Sequence, residues 1–561
     1  MDSHSPQYFI GVDVGTSSAR AAITDAAGTI LASATCAIQI HSPAADLFEQ
    51  SSADIWRQCC SAVKQALADS AIDPQHVVSI GFDATCSLVA LDDTFAPVSV
   101  SPTAQPDSNT EGCTWDIVMW MDHRAVAETA RINATGHPVL QLTGGALSVE
   151  MQVPKLLWLQ THMPDAFQRT RHWFDLPDFL TWRASGKLDR SMCSLVCKWT
   201  YVPEQSASCL GFKQTFFDQI GLKIPSINDR LLGGGRVRQI GEAVGTLTAA
   251  AARELGLHTK VVVGVSMIDA HAGAVATLAH PGGPVTDNLA LISGTSACHI
   301  ALNQHPKLVK GVWGPYEGVV LPGSYAMEAG QSACGKLLDH IVETHPAYSL
   351  ALSNAQATTQ HIYQYLNAHL ARLAENNKVP SIDHLAASVH VYPDFHGNRS
   401  PISDPTFRGT IHGLTLDTSV DSLAILYLAT VHALALQTRD IVETAREQGQ
   451  YALQRVCLSG GLVHNAVFVR VLADALRVPV VLPRYPEASV VLGAAVVGAA
   501  AAASASGAGG VWEAMSRMTR PGREVLPSED DKVQRLFEAK YQAYELMKQM
   551  QVGVRELMKS V

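Results

Sequence analysis

Apolar runs alternate with small polar turns at the start of the chain. The run 8–14 is β-branched and aromatic; it ends at Gly15-Thr16-Ser17, and a second apolar run follows at 19–23. Two short apolar runs joined by a tight polar turn predict a β-hairpin. After the serines at 51 and 52, apolar residues recur at helical spacing up to position 67, which predicts a capped amphipathic helix. The elements are therefore mixed α/β.

The opening pattern returns half a chain later. The segment 289–302 again consists of an apolar run, a Gly294-Thr295-Ser296 turn and a second apolar run. Such an echo indicates two domains of common ancestry, each beginning with a hairpin, although three small residues can also match by chance. Chain-breaking residues cluster around Pro281. We therefore expect an N-terminal domain over 1–280 and a C-terminal domain over 281–561.

Three segments of the second half carry clear helical patterns. Residues 421–449 predict a long helix that ends at a glycine. The nearly uncharged segment 488–503 is rich in alanine, glycine and valine rather than leucine, which favours a buried helix over a membrane span. From about 511 to the end we expect a helical tail.

Composition and charge narrow the possible partners. The 561 residues are 47% apolar and 16% charged, which suits large packed domains. The formal net charge is −10 and no run of lysine and arginine forms a basic patch. Nucleic acid and anionic membranes are therefore not expected as partners, because they need local positive charge. ATP remains possible, since backbone amides bind phosphate without a basic surface.

The cysteines point to a reducing compartment. There are 11, none forms a CxxC pair, and no spacing of cysteine and histidine along the chain is typical of a zinc site. Cys193 and Cys197 lie four apart on a possible helix, and we interpret them as buried thiols. The first eight residues are polar, unlike a signal peptide, so we expect a cytoplasmic location.

The two Gly-Thr-Ser turns suit phosphate binding. Glycine lets the backbone approach an anion, and successive N–H groups and hydroxyls then converge on it. Asp13 precedes the first turn by two residues and suits a water-mediated contact to Mg²⁺. Ile292 takes that place before the second turn, so a single metal carboxylate is expected.

Two further segments end apolar strands with polar residues. Asp269 follows the strongly apolar run 261–265, where a carboxylate can accept a proton from a substrate hydroxyl or simply cap a helix. Gly460-Gly461 joins a strand to a helix. Paired glycines there suit a flat ring such as adenine, or only close packing of strand and helix.

Together these segments resemble the FGGY carbohydrate kinases of the actin/hexokinase superfamily. Markers occur in the family's order across essentially the whole chain: Gly11 to Ser17, Trp120-Met121-Asp122-His123-Arg124, Asp269 with Gly273, Ser293-Gly294-Thr295, Asp394 to Pro401 and Ser459-Gly460-Gly461. The resemblance implies two actin/hexokinase-like (ribonuclease H-like) α/β domains with a catalytic cleft between them. It also implies ATP and Mg²⁺ as cofactors and Asp269 as the general base.

The resemblance extends to individual sites. Thr85-Cys86-Ser87 is similar to the signature of the D-ribulose kinase branch, which implies that Asp83, Thr85, Cys86, Lys198 and Glu328 bind the sugar. For ATP and its phosphates it implies Gly15, Thr16, Ser17, Arg20, Gly294, Thr295, Ser296, Gly460, Gly461 and Asn465. Lys198 could instead lie at the surface, and Asp122 with Arg124 could be only a structural ion pair.

The implied function is phosphorylation of D-ribulose to D-ribulose 5-phosphate. The alternatives are a kinase for another sugar or pentitol, such as L-ribulose, D-xylulose or ribitol, and an ATP-gated binding protein of the same superfamily. Lys198 and Glu328 argue against the binding protein, which has no need of a sugar pocket. We also expect that the chain can form a homodimer.

Overall fold

The computed structural model describes residues 6–103, 114–203, 211–224, 226–280 and 282–558. Pro281, at the expected domain boundary, lies outside them. The strands of the first half are β1 Tyr8–Val14, β2 Ser18–Asp25, β3 Ile30–Ala37, β4 His41–Ala44, β5 Leu47–Gln50, β6 Val77–Ala84, β7 Leu88–Leu91, β8 Ile117–Val118, β9 His172–Asp175, β10 Arg190–Ser191, β11 Val237–Arg238, β12 Ala243–Thr246, β13 Val262–Gly264 and β14 Met267–Ile268. Its helices are α1 Ser52–Ser70, α2 Val126–Asn133, α3 Gln152–His162, α4 Pro164–Arg169, α5 Leu176–Ser185, α6 Met192–Lys198, α7 Gln214–Ile220, α8 Ile227–Leu232, α9 Ala249–Leu255 and α10 Asp269–Thr277.

The second half repeats the alternation of strands and helices with longer helices. Its strands are β15 Asn288–Ser293, β16 Ala297–Asn303, β17 Trp313–Glu317, β18 Tyr325–Gln331, β19 His390–Tyr392, β20 Thr410–His412, β21 Arg455–Gly460, β22 Val480–Pro483 and β23 Pro521–Val525. Its helices are α11 Gly335–Glu343, α12 Tyr348–Ala357, α13 Ile362–Asn376, α14 Val420–Gly449, α15 Ala466–Leu476, α16 Ser489–Ala505, α17 Val511–Met518 and α18 Asp531–Met558.

Each predicted hairpin lies within a seven-stranded sheet. The first sheet has the order β12-β13-β6-β1-β2-β3, with β14 also paired to β6, and the second has the order β17-β18-β16-β15-β21-β22-β23. The pairs β1/β2 and β15/β16 are antiparallel, with a Gly-Thr-Ser turn between them. In contrast β1/β6, β6/β14 and β15/β21 are parallel. Because parallel strands end at the same edge, the residues after them gather there.

Two helices are exchanged between the sheets. A Cβ on Gly81 of β6 would lie 2.0 Å from the carbonyl oxygen of Ala494, so α16 of the second half packs directly on the first sheet. A Cβ on Gly273 of α10 would lie 2.9 Å from Ile292 of β15 in the second sheet. A Cβ on Gly493 of α16 would come within 1.9 Å of Ala272 in α10. The two helices therefore cross backbone to backbone between the sheets.

The buried-helix prediction for 488–503 is confirmed. Two segments, α14 and Pro486–Ala505, are long and apolar enough to cross a membrane, and 78% and 67% of their most apolar windows are buried inside the protein. Packing against the sheets accounts for their apolar composition.

The end of the chain differs from the expected helical tail. It contains α17 and α18, but β23 lies between them and pairs antiparallel with β22. Because β23 is mostly exposed and rich in polar residues, its sequence shows little of the apolar pattern by which strands are recognised. The tail thus completes the second sheet.

Candidate active site

Three carboxyl groups meet where parallel strands of the first sheet end. Asp13 in β1 lies in register with Asp83 in β6, and Asp83 is in register with Met267 of β14, two residues before Asp269. Asp83 is fully buried, Asp13 nearly so, and Asp269 is partly exposed. The sheet topology thus brings together three acids that are far apart in sequence.

The surroundings of these acids shift their pKa values to different extents. Burial, followed by the charges of Asp13 and Asp269, raises the pKa of Asp83 well above its usual range. Burial also raises the pKa of Asp13, opposed by the charge of the Arg20 guanidinium 3.8 Å away. Neither carboxyl oxygen of Asp83 has a hydrogen-bond partner among the described residues. Asp83 is therefore the acid whose surroundings most favour the neutral form.

The sequence left open whether Asp269 caps a helix or acts as a base. Asp269 is the first residue of α10, but the N-cap position is that of Ile268, and among the described residues Asp269 Oδ1 accepts a hydrogen bond only from the backbone N–H of the next residue, Ala270, at 2.7 Å. Burial and then the charge of Asp13 raise its pKa to about 6, while the Ala270 N–H opposes the rise. A carboxylate with this pKa is ionised at neutral pH and is basic enough to take a proton.

The first Gly-Thr-Ser turn is held rigidly. The Gly15 N–H donates to the Ser18 carbonyl at 3.0 Å, which closes the turn. The Thr16 carbonyl accepts from Gln50 Nε2 at 2.8 Å, and the Thr16 hydroxyl accepts from Trp120 Nε1 at 3.1 Å. Ser17 is exposed. Arg20 reaches across to the second half, where its Nη1 donates to the Glu487 carbonyl at 3.1 Å.

Replacing Trp120 by phenylalanine is expected to loosen the Thr16 hydroxyl and raise KM for ATP about two- to tenfold. That range corresponds to the loss of one hydrogen bond worth about 0.5–1.5 kcal/mol. Steady-state kinetics with varied ATP measure the change. Trp158→Phe removes a partly buried indole elsewhere in the same half and serves as the control. Equal KM values for the two variants would contradict the role of the Trp120–Thr16 contact.

The second turn and the paired glycines share one edge of the second sheet. Gly294 and Thr295 are exposed, and Ser293 is in register with Gly460 on the neighbouring parallel strand. Gly460 has φ of 90°, and a Cβ there would lie 2.2 Å from the Ser293 carbonyl oxygen, so only glycine fits. The structure thus brings Gly294, Thr295, Ser296, Gly460 and Gly461 to the same edge.

Asn465 is engaged by the protein itself. It is the N-cap of α15, where its Oδ1 accepts from the Phe468 N–H at 3.3 Å and from Asn367 at 3.0 Å. Its Nδ2 donates to the Tyr427 hydroxyl at 2.7 Å, and the residue is buried. These contacts hold the start of α15 next to Gly460-Gly461.

A buried ion pair joins the two halves of the chain. Lys198 Nζ, at the end of α6, donates to Glu328 Oε1 of β18 at 3.1 Å, and both residues are 3% exposed. The alternative of Lys198 as a surface lysine is therefore wrong. Burial opposes both charges, but the carboxylate of Glu328 raises the pKa of Lys198 well above its usual range, and Lys198 lowers the pKa of Glu328.

Residues that the sequence did not single out surround this pair. Lys198 Nζ lies 4.4 Å from the ring centre of Trp313, a cation–π contact. Arg399, which belongs to the family marker Asp394 to Pro401, lies near the same ring and donates a hydrogen bond to Glu150 Oε1 at 2.8 Å. No local pattern marks Trp313 or Glu150, because their importance comes only from contacts across the cleft.

The signature segment lies beside this pair. The Thr85 N–H donates to the Val14 carbonyl at 3.0 Å, and its hydroxyl lies 3.4 Å from that of Ser87. Cys86 is buried, and burial raises the pKa of its thiol, opposed by the charge of Lys198. The Cys86 thiol is therefore neutral and close enough to Lys198 to feel its charge.

Asp122 and Arg124 form an internal network. Arg124 donates to Asp122 and to Glu49 at 2.8 Å, and its charged group is fully buried. Asp122 also accepts from the Phe48 N–H at 2.7 Å. Because all of these partners belong to the protein interior, Asp122 and Arg124 form a structural ion pair.

Comparisons with known proteins agree with this geometry. Residues 8–276 match the N-terminal domain of the FGGY family of carbohydrate kinases, and residues 289–502 match its C-terminal domain. The chain belongs to the FGGY carbohydrate kinase family. It is therefore an ATP-dependent sugar phosphotransferase whose substrates are a carbohydrate and ATP.

Individual FGGY kinases are similar over nearly the whole chain. An FGGY carbohydrate kinase domain-containing protein of Danio rerio is 45% identical over 548 residues, covering 96% of each chain. A D-ribulokinase of Saccharomyces cerevisiae is 40% identical over 521 residues, covering 88% of this chain and 72% of that protein. The crystal structure of a xylulose kinase from Rhodospirillum rubrum has a TM-score of 0.76 at 21% identity, covering 97% of this chain and 99% of that one. The predicted two-domain fold is confirmed.

Proposed function

We propose that this FGGY kinase phosphorylates D-ribulose at its terminal hydroxyl to give D-ribulose 5-phosphate. The observation that carries the proposal is the 40% identity to a D-ribulokinase over 88% of the chain. The Thr85-Cys86-Ser87 signature supports the same branch of the family. Other ketopentoses and pentitols remain the alternatives, because they differ from D-ribulose only in the configuration of one or two carbons or in the oxidation state of one.

The buried charges beside the cleft suit a short polyhydroxylated substrate. Lys198 offers N–H donors, and Glu328 has one carboxylate oxygen, Oε2, without a hydrogen-bond partner among the described residues. A sugar hydroxyl donating to Oε2 would satisfy it, and a neighbouring hydroxyl or carbonyl oxygen would accept from Lys198. Asp83, whose two carboxyl oxygens also lack hydrogen-bond partners among the described residues, is a further polar group for the sugar hydroxyls. These groups orient the sugar for transfer.

Phosphoryl transfer then needs a base and a cradle for the phosphates. Asp269 takes the proton from the terminal hydroxyl as its oxygen forms the new bond to the γ-phosphorus, and the bond from that phosphorus to the bridging oxygen of ADP breaks. The Gly15 and Gly294 N–H groups close their own turns, and the N–H groups and hydroxyls of Thr16, Ser17, Thr295 and Ser296 bind the phosphate oxygens from the two halves. The proton leaves Asp269 to solvent after release of the sugar phosphate.

The acids next to the first turn fit a magnesium ion. Mg²⁺ prefers oxygen ligands and keeps several waters, and the buried carboxylate of Asp13 lies at the end of β1 just before the turn. Asp13 would hold the ion through water, and the bound ion would neutralise charge on the ATP phosphates. Burial raises the pKa of Asp13, and the positive charge of Arg20, 3.8 Å away, opposes that rise.

Replacing Asp13 by asparagine is expected to raise the Mg²⁺ concentration for half-maximal activity about 10- to 100-fold, because a second-sphere carboxylate contributes about that much to metal affinity. Activity measured against Mg²⁺ at fixed total ATP checks this. Asp83→Asn serves as the matched control: it makes the same change at the neighbouring acid, which is fully buried in β6, and is expected to leave the Mg²⁺ requirement unchanged. An Asp13→Asn enzyme with a normal requirement would contradict the role of Asp13.

The substrate assignment is tested by ADP release with MgATP and a panel of D-ribulose, L-ribulose, D-xylulose, ribitol and glycerol. We expect the highest kcat/KM for D-ribulose. A clear preference for another member would overturn the assignment and leave the kinase chemistry in place. Direct detection of a phosphorylated pentulose by mass spectrometry separates turnover from ATP hydrolysis without sugar.

A further inference from the structure

A cluster of thiol and imidazole groups lies beneath the sugar pocket. Cys193 and Cys197 lie on successive turns of α6, and α10 brings His271 against them. The sulfur atoms and a ring nitrogen of these three residues all lie within 4.8 Å of one another, and all three side chains are fully buried. Cys197 Sγ is 3.5 Å from His271 Nε2. The chain spacing hid the cluster, because His271 follows Cys197 by 74 positions.

A fourth group points into the cluster independently. Glu328 Oε2 is buried, has no hydrogen-bond partner in the described part of the chain, and lies 3.7 Å from His271 Nε2. Its other oxygen is held by Lys198. From Zn–S and Zn–N bonds of about 2.3 and 2.0–2.1 Å, a tetrahedral site needs about 3.6 Å between sulfur and nitrogen and about 3.3 Å between nitrogen and oxygen. The Cys197–His271 separation of 3.5 Å is close to the first value, and the His271–Glu328 separation of 3.7 Å exceeds the second by about 0.4 Å.

The charges also suit a divalent cation. Two thiolates and the Glu328 carboxylate around a divalent ion would leave one negative charge, and the Lys198 ammonium beside Glu328 neutralises it. Binding would release the thiol protons.

We propose that Cys193, Cys197, His271 and Glu328 form a binding site for zinc or a similar thiophilic divalent ion. An ion bound to Glu328 Oε2 occupies the oxygen that would accept a hydrogen bond from the sugar. The ion therefore inhibits the kinase by weakening sugar binding, a consequence that rests on the sugar pocket proposed above. The metal site itself does not depend on that pocket.

The binding test uses the purified full-length chain and Co²⁺ as a spectroscopic probe for Zn²⁺. We expect one equivalent of Co²⁺ to give a thiolate-to-cobalt charge-transfer band, and Zn²⁺ to displace it. Cys193→Ser is expected to lower the affinity at least about 100-fold, since even groups outside the coordination sphere contribute about 10- to 100-fold. Cys60→Ser removes another buried thiol and should leave the band intact.

Two results would overturn the site: no thiolate band in the unmodified chain, or an unchanged band in Cys193→Ser. If Cys193→Ser does not fold, Cys197→Ser provides the same comparison, and the spectrum of the unmodified chain decides by itself. In kinetic assays Zn²⁺ should raise KM for the sugar in the unmodified enzyme and in Cys60→Ser but not in Cys193→Ser. Cobalt binding without this inhibition would keep the metal site and remove its effect on the sugar pocket.

Discussion

Replacing Asp269 by asparagine is expected to lower kcat about 10²- to 10⁴-fold with little change in KM for ATP. Asparagine keeps the shape of the side chain but cannot take the proton from the attacking hydroxyl, and general-base catalysis contributes about this factor. Steady-state ADP release at saturating sugar and MgATP measures the loss, and circular dichroism verifies that the variant is folded.

Asp269→Glu provides the matched control, because it retains a carboxylate that is displaced by one methylene. We expect it to keep more activity than Asp269→Asn. An asparagine variant with kcat within tenfold of the unmodified enzyme would show that Asp269 is not the base. The hydrogen bond with the Ala270 N–H at the start of α10 would then be its main contribution.

The pKa of Asp269 predicts how the activity falls on the acid side of the pH profile. Because burial and Asp13 raise the pKa of Asp269 to about 6, the base is ionised above that pH and protonated below it. kcat/KM for the sugar should therefore fall about tenfold for each pH unit below about 6. In Asp13→Asn the neighbouring negative charge is absent, so this fall should move to lower pH.

Much of the fold was predictable because its signals are local. The hairpins around Gly15 and Gly294 and the buried helix of 488–503 follow from short apolar runs, turns and composition. The exchange of α10 and α16 between the sheets was not predictable, because it depends on backbone contacts such as Gly493 against Ala272. The exposed strand β23 lacked the apolar alternation by which a strand is recognised.

The residues of the site show the same distinction between local signals and contacts over long distances in sequence. Asp13 and Asp269 could be picked out because each stands at the end of an apolar strand, but the pairing of Asp13 with Asp83 required the register of parallel strands. Trp313 and the grouping of His271 with Cys193 depend on contacts between elements distant in sequence. Sequence therefore predicts the site residues at strand ends better than the site residues that depend on contacts between distant elements.

Replacing either partner of the Lys198–Glu328 pair is expected to destabilise the enzyme by about 3–5 kcal/mol, because the remaining charge is left buried without its partner. Lys198→Met leaves Glu328 with Oε1 unsatisfied, and Glu328→Met leaves the Lys198 ammonium against Trp313 alone. The stabilisation is present at neutral pH and is lost when acid protonates Glu328, at a pH below its unfolded pKa because Lys198 lowers the folded value. The free energy of unfolding from urea denaturation measures the loss.

The double variant, Lys198→Met with Glu328→Met, separates stability from function. Replacing a buried ion pair by apolar side chains of similar volume is often neutral, so the double variant should regain most of the stability that each single variant loses. Its kcat/KM for the sugar should stay at least about 100-fold low, because charged groups that hydrogen-bond a substrate are worth about 1.5–3 kcal/mol each. KM for ATP should remain near normal, since the phosphate turns are untouched. A double variant with restored stability and normal sugar kinetics would mean that the pair only joins the two halves. Restored stability with lost sugar turnover would assign it to the substrate.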